Sequence, residues 1–307
     1  MTKQVEVKND PNYKIVHDAG FVGLVDVMGS DSSITQAARV SYGTGTKKVS
    51  DDRNLIRYLM RHRHTTPFEM CEAKFHIRLP IFIMRQWIRH RTASVNEYSA
   101  RYSIMEDEFY IPEPDYFQFQ DRDNKQGRCK PWMVDGVEDS FNEGEKQGMS
   151  LSMDTVNKSC YNEYKKLLDM NLTRELARTV LPVSNYTEFY WKMNLHNLFH
   201  FLKLRTDSHA QQEIQDYANA VLDLIKPKFP IAFEAFEDYV LGSVTLSKME
   251  KNILQYVFDT YPEIQNYSGY DGYCSSIPSY IELISNSEDL DFKMSKREWN
   301  ELKEKLK

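Results

Sequence analysis

Apolar residues recur with two different periods along this chain, and the switches between them mark out its elements. From Cys71 to Leu79 the alternation is strict, with Cys71, Ala73, Phe75, Ile77 and Leu79 on one face and Glu72, Lys74, His76 and Arg78 on the other. A period of two predicts a half-buried strand. Leu55, Ile56, Leu59 and Met60 recur at helical spacing behind Ser50 as an N-cap, with Asp51 and Asp52 in the first turn, so residues 51–62 read as an amphipathic helix. Before it, Val16 to Met28 reads as one or two strands with a tight connection near Gly20 and Gly23. Ser32 or Ser33 then caps a helix through Ile34, Ala37, Ala38 and Val40, stopped near Gly43, with Ser41 and Tyr42 at its end.

Pro80 is placed to open the next helix, since a proline in the first turn loses no needed hydrogen bond. Its face of Ile81, Met84, Trp87 and Ile88 delivers Gln86 and Arg89 to the C-terminal end. A long helix is expected over residues 153–180, closed by Pro182. The aromatic run Thr187 to Met193 suits a strand or a helix start equally well. Asn194 caps a helix through Leu195, Leu198, Phe199 and Leu202, and Asp207 or Ser208 caps another through Ile214, Tyr217, Val221 and Ile225, ended by Pro227. A polar, glycine-bearing stretch near 117–152 reads as an insertion, partly loop. Beyond residue 240 comes a lysine- and glutamate-rich tail with short apolar faces at Leu254, Val257 and Phe258 and at Trp299 and Leu302. The expectation is one large domain over 1–240, carrying the insertion, and a helical extension over 241–307.

Composition narrows the class. With 307 residues, 41% hydrophobic, the chain can bury a sizeable core. The net charge of −6 argues against a surface built for nucleic acid. Four cysteines, Cys71, Cys129, Cys160 and Cys274, stand apart with no C-x-x-C pair, which fits neither a disulfide framework nor a zinc knuckle and suggests a reducing cytosol. No apolar leader and no run of membrane-spanning length is present, so a cytoplasmic protein with no membrane partner is expected.

Local chemistry departs from this acidic average. Between Arg85 and Arg101 four arginines face one glutamate, a local charge of +3. The stretch Arg89 to Tyr102 joins guanidinium, imidazole, carboxylate, amide and hydroxyl groups just past a helix end, where loops commonly hold ligands. Arginine's planar fork suits phosphate, so an anionic small molecule is the expected occupant. The alternatives are a solvated basic helix end, or a nucleic-acid-binding module, which the acidic total disfavours. Arg174 and Arg178 lie one turn apart, an arrangement that also suits a surface salt-bridge set. His196 and His200 have the i, i+4 spacing of a metal pair, but no Glu sits between them in the zincin arrangement and no third ligand is evident, so no metal is expected. Neither a dinucleotide glycine fingerprint nor a P-loop occurs. Any nucleotide phosphates must be met by arginines, histidines and helix ends.

At Arg89-His90-Arg91, seven residues, and Ser99, the chain resembles the flavin-dependent thymidylate synthase family, whose signature is R-H-R-x7-S. Flanking blocks agree in order: Ala37 to Tyr42, His64 to Glu69, Glu175 to Arg178, Phe201 to Arg205, and Asp207 to Gln211. The resemblance spans roughly residues 15–240 without the insertion. It implies an α/β (α+β) fold, with a central mixed sheet flanked by helices. It also implies methylation of dUMP to dTMP, with carbon from methylenetetrahydrofolate and reducing equivalents from FADH2 regenerated by NADPH, and no cysteine nucleophile.

Carried over residue by residue, the resemblance implies that Gln86, Trp87, Ile88, Arg89, Glu97, Tyr98, Ser99, Ala100, Arg101, Arg178 and Arg205 bind dUMP, with Ser99 and Arg101 near its phosphate. FAD would contact His64, Thr66, Arg89, His90, Arg91, Glu97, Asn194, Leu195, His196 and His200. His196 and His200 stand where some members have an arginine and an asparagine. Arg205 matches the activating arginine, a fixed cation beside the uracil that favours its ionised, electron-rich form. A homotetramer with sites at subunit junctions is implied. The insertion and tail receive no catalytic role.

Overall fold

A computed structural model describes residues 7–40, 52–121, 127–128, 132–134, 137–260, 281 and 296–306. The chain divides into two compact units, residues 1–241 and 242–307. In the first, strands β1 (Tyr13–Val16) and β2 (Gly20–Met28) lead to helices α1 (Asp31–Arg39), α2 (Asp52–Arg61) and the short α3 (Thr66–Glu69). Strand β3 (Glu72–Pro80), helix α4 (Ile81–Trp87) and strand β4 (Ser94–Glu97) follow. After them come the short strands β5 (Trp132–Val134) and β6 (Val137–Asp139), the long α5 (Glu143–Asp169) and the single turn α6 (Arg174–Ala177). Strand β7 (Tyr186–Asn194) and helices α7 (Leu195–Arg205), α8 (Gln212–Ile225) and α9 (Pro230–Phe236) complete the unit.

The main sheet runs β1-β2-β3-β7-β4 and is flanked by helices, as the resemblance implied. Every pairing among its described strands is antiparallel, where a mixed sheet was expected. Strict alternation in β3 already pointed that way, because parallel strands covered on both faces read as continuous apolar runs. Phe75 and Ile77 of β3 lie opposite Trp191 and Phe189 of β7, and all four are 0–1% exposed. The inner face of α7 (Leu198, Phe201, Leu202) and that of α8 (Ile214, Tyr217, Val221) cover this layer.

Local boundaries explain where the elements deliver their side chains. Pro80, at φ −64°, ends β3 and opens α4 directly, so the helix leaves the sheet without a loop. Asn194 caps α7, its Oδ1 accepting the Asn197 N–H at 2.9 Å, as expected. Asp207 does not cap α8. It accepts the His209 N–H at 2.8 Å and forms a polar turn, and the N-cap falls at Gln211. Helix α1 is capped at Ser30, ahead of the expected serines. Ser41, Tyr42, Gly43, Ser50 and Asp51 lie outside the described residues.

The long helix differs most from expectation. It begins at Glu143, inside the stretch read as an insertion, because Asn142 and Glu145 form a reciprocal capping box. It ends at Asp169, where Asn171 takes a left-handed φ of 62° and breaks the ladder before α6 restarts. The second unit contains α10 (Lys248–Thr260) and α11 (Lys296–Lys305), whose Ile253, Val257, Trp299 and Leu302 share one small core.

Candidate functional site

Three clusters in the first unit gather chemically active side chains. The first surrounds the end of β4. This edge strand pairs with β7 so that Glu97 lies opposite Phe189, and the Tyr98 N–H donates to the Glu188 carbonyl at 2.8 Å. Glu97 is held by the Thr187 hydroxyl, which donates to its Oε1 at 2.7 Å. The chain then turns tightly: the Ser99 carbonyl accepts the N–H groups of Tyr102 and Ser103 at 3.1 and 3.0 Å. Helix α6 backs this turn. Arg174 donates to the Tyr102 carbonyl, Arg101 pairs with Glu175 at 3.2 Å, and Ala177 packs beneath against Met105 and Tyr164 of α5. The result is a cavity of about 360 Å³ lined by Glu97, Tyr98, Ser99, Ala100 and Arg178, with Asn185 and Thr187 at its floor. Arg178 is exposed at the cavity, and Arg101 and Arg174, also exposed, are engaged by Glu175 and by the Tyr102 carbonyl respectively. Arg178 thus offers the cavity a planar guanidinium of the kind that binds phosphate or carboxylate oxygens.

The second cluster lies where α4 meets the last turn of α7. Arg205 donates from Nε to His90 Nε2 at 3.0 Å and from Nη2 to the Gln86 carbonyl at 3.4 Å. His90 is buried, and its ring stands 5.9 Å from that of His200. Burial, then the Arg205 charge, then His200 lower its pKa to about 4. The imidazole is therefore neutral at physiological pH, and its Nε2 acts as an acceptor that fixes the guanidinium. Gln86 turns its amide away, donating from Nε2 to Gln211 Oε1.

The third cluster is the turn between α2 and α3. His64 and Thr66 line a cavity of about 760 Å³ with Tyr58, Ala37, Ala38 and Pro67. Its size suits a large organic ligand. Arg63 in this turn has a left-handed φ of 58°, a conformation costly for a non-glycine residue. Arg89 and Arg91 are exposed after α4, and among the described residues no ion pair or hydrogen bond ties down either guanidinium. The cavity of the third cluster itself supplies Arg63, His64 and Thr66, donors that fit the phosphate-bearing flavin cofactor that the resemblance implied.

The model of the family described as thymidylate synthase complementing protein matches residues 23–231. A flavin-dependent thymidylate synthase from Wolbachia pipientis is 51% identical over 255 residues, covering 83% of this chain and 86% of that protein. The chain belongs to the flavin-dependent thymidylate synthase family. The synthase from Rickettsia typhi is 46% identical and covers 94% of this chain and 91% of its own, so that likeness reaches into the C-terminal unit. Among solved structures, a UMP/dUMP methylase from Streptomyces cacaoi bound with 5-Br dUMP superposes with a TM-score of 0.63 at 36% identity, covering 74% of this chain and 98% of that one.

The residues carried over from the family signature separate among the three clusters. Glu97, Tyr98, Ser99, Ala100 and Arg178 share the first cavity, with Arg101 beside it. Gln86, His90, His200 and Arg205 form the second, and His64 and Thr66 the third. Two expected contacts cannot be side-chain contacts. Trp87 is 0% exposed, its ring 4.4 Å from Phe201 and 5.1 Å from Trp191, and Leu195 is 1% exposed with its N–H on the Cys71 carbonyl. Both side chains belong to the core and can offer a ligand only main chain. The Asn194 side chain is likewise committed to its cap, while Ile88 is exposed and His196 half-buried. The stretch after Arg91, read as loop just past a helix end, contains strand β4.

Sequence reasoning missed Asn185 and Thr187, which no local pattern singles out: Thr187 reaches the cavity from β7, and Asn185, just ahead of that strand, donates to the Glu106 and Glu108 carbonyls. Gln211 was visible within the Asp207 to Gln211 block but was not assigned a role. Cys71 is buried, with its thiol pushed up to about 11 by burial, which leaves no thiolate there to attack a pyrimidine.

Proposed function

We propose that the first cavity seats the dUMP phosphate and that Arg205 and His90 address the uracil during methylation of dUMP to dTMP. The observation that carries this reading is the convergence of the Glu97 to Ala100 turn with Arg178, residues far apart in sequence, around one cavity. Arg178 and Arg101 bind phosphate oxygens, and Ser99 with the following main chain orients them. Arg205, its direction fixed by neutral His90, lies against the uracil carbonyl and stabilises negative charge as the ring attacks the one-carbon unit of methylenetetrahydrofolate. FAD supplies the reducing equivalents, drawn from NADPH. Arg89 and Arg91 would hold its phosphates, and His64, Thr66, His196 and His200 would provide further contacts.

The cavities of about 360 Å³ and 760 Å³ each take side chains from a single cluster. A homotetramer in which neighbouring subunits juxtapose the clusters supplies a complete site, and a reducing cytoplasm suits the free Cys71 and Cys160. Among the described residues no helix is long and apolar enough to cross a membrane. The test is a single turnover: purified protein, reduced, then mixed with dUMP and methylenetetrahydrofolate. Flavin absorbance and stoichiometric dTMP are expected. Protein that lacked flavin and formed no dTMP would overturn the reading.

A further inference from the structure

A chain of side-chain hydrogen bonds runs from the segment before α5 to the amide of Gln86. It starts at Arg128, whose Nη2 binds Glu213 Oε1 at 2.5 Å, while its guanidinium lies 5.7 Å from the centre of the Tyr116 ring. Glu213, in the first turn of α8, is 1% exposed. Its Oε1 also accepts the Tyr110 hydroxyl at 3.1 Å, and its Oε2 accepts Gln211 Nε2 at 2.8 Å. Gln211 Oε1 accepts Gln86 Nε2, and the main-chain carbonyl of the same Gln86 separately accepts Arg205 Nη2 at 3.4 Å.

We propose that Arg128, from the segment read as an insertion without a catalytic role, is a positioning residue for the Gln86 side-chain amide. An ionised carboxylate can only accept hydrogen bonds. Glu213 therefore forces Gln211 to present its NH2 end inward and its oxygen to Gln86. Gln86 must answer with its own NH2, so the two ends of its amide cannot exchange. The charge on Glu213 sets the direction of the whole chain, and Arg128 is the cation that keeps that charge in place.

Burial alone would push the Glu213 carboxyl up, but the Arg128 hydrogen bond and charge, helped by its own backbone N–H and by Gln211, hold it below the usual range. The other groups facing it do not replace Arg128. Tyr110 and Tyr116 are phenols whose ionisation burial pushes up, and Asp216, one turn along α8, is a second acid, approached by the Tyr116 hydroxyl at 2.7 Å and by His17 at 3.5 Å. Without Arg128, Glu213 is a desolvated carboxylate that takes up a proton at higher pH. A protonated Glu213 can donate, both glutamines can then flip, and Gln86 no longer offers the nucleotide one defined face.

The inference rests on the assignment of Gln86 to the dUMP site. Its test is dUMP affinity by titration calorimetry, with kcat and KM, from pH 6 to 9, on flavin-loaded wild type, Arg128→Met, Arg128→Lys, Glu213→Gln and the Arg128→Met/Glu213→Gln double variant. Arg128→Met is expected to weaken dUMP roughly tenfold near neutrality, with a new titration that worsens toward acid. Arg128→Lys should recover most of the affinity, and the double variant should lose the new titration. If Arg128→Met does not fold, Glu213→Gln carries the test, since it retains the shape and removes the charge that orders the amides. Its expected result is weakened dUMP binding. Wild-type affinity and pH profile in Arg128→Met or Glu213→Gln would overturn the inference, as would a loss in Arg128→Met that is independent of pH and unrelieved by lysine. Wild-type protein that bound no dUMP would overturn the site assignment itself, a result distinct from an indifferent Arg128.

Discussion

Replacing His90 with glutamine should flatten the acid side of the protein's stability profile. The buried imidazole has its pKa lowered from 6.5 to about 4. Between those values the unfolded chain holds a proton that the folded chain refuses, so stability rises with pH across the window and is lost as pH falls from 6.5 toward 4. The separation is about 2.5 units, and at about 1.36 kcal/mol per unit it amounts to roughly 3 kcal/mol across the window, of which about 2 kcal/mol is already lost at pH 5. Glutamine keeps an acceptor for the Arg205 Nε–H but has no proton to gain.

The assay is urea unfolding of flavin-free wild type and His90→Gln at pH 7 and pH 5, at one fixed protein concentration because association shifts apparent stability. Both proteins carry the remaining histidines and carboxylates, so their contributions cancel in the comparison. Wild type should lose about 2 kcal/mol more than the variant on acidification. Equal losses would refute the neutral, buried His90 and, with it, the acceptor that orients Arg205.

Removing Arg205 should reduce single-turnover dTMP formation by roughly 100- to 1000-fold with an unchanged circular dichroism spectrum, and wild-type-like turnover would exclude it from the mechanism. Asn194→Ala removes the α7 cap and should cost about 1 kcal/mol, read as a melting temperature lower by about 2–4 °C. Trp87→Ala opens the aromatic centre of the core and should destabilise the fold by roughly 3–5 kcal/mol in urea titration. An effect of Trp87→Ala on dUMP affinity alone, at full stability, would contradict its placement.

Elements governed by local periodicity were legible from the chain: β3 by its alternation, α2 by its 3.6-residue stripe, and α7 by the Asn194 cap. What eluded sequence reasoning depended on contacts between distant segments. Asp207 spends its carboxylate on its own turn, so the cap of α8 shifts to Gln211. Asn171 breaks the long helix through a left-handed φ that composition does not announce. In the site, Ser99 and Arg178 were identifiable as chemistry, but their meeting requires β4 to pair on the edge of β7 while α6 backs the turn. Trp87 and Leu195 sit inside sequence blocks associated with ligands, yet the helical phase of α4 and α7 turns both side chains into the core. Arg128 and Glu213 carried no local signal at all, since their pairing spans a large separation in sequence.

The most direct test of the proposed phosphate seat compares dUMP with deoxyuridine, which lacks the phosphate, on wild type and Arg178→Ala. Loss of charge-assisted hydrogen bonds worth about 1.5–3 kcal/mol should weaken dUMP by roughly 10- to 100-fold, while deoxyuridine affinity stays unchanged. Equal weakening of both ligands, or of neither, would contradict the assignment of Arg178 and the Glu97 to Arg101 turn to the phosphate.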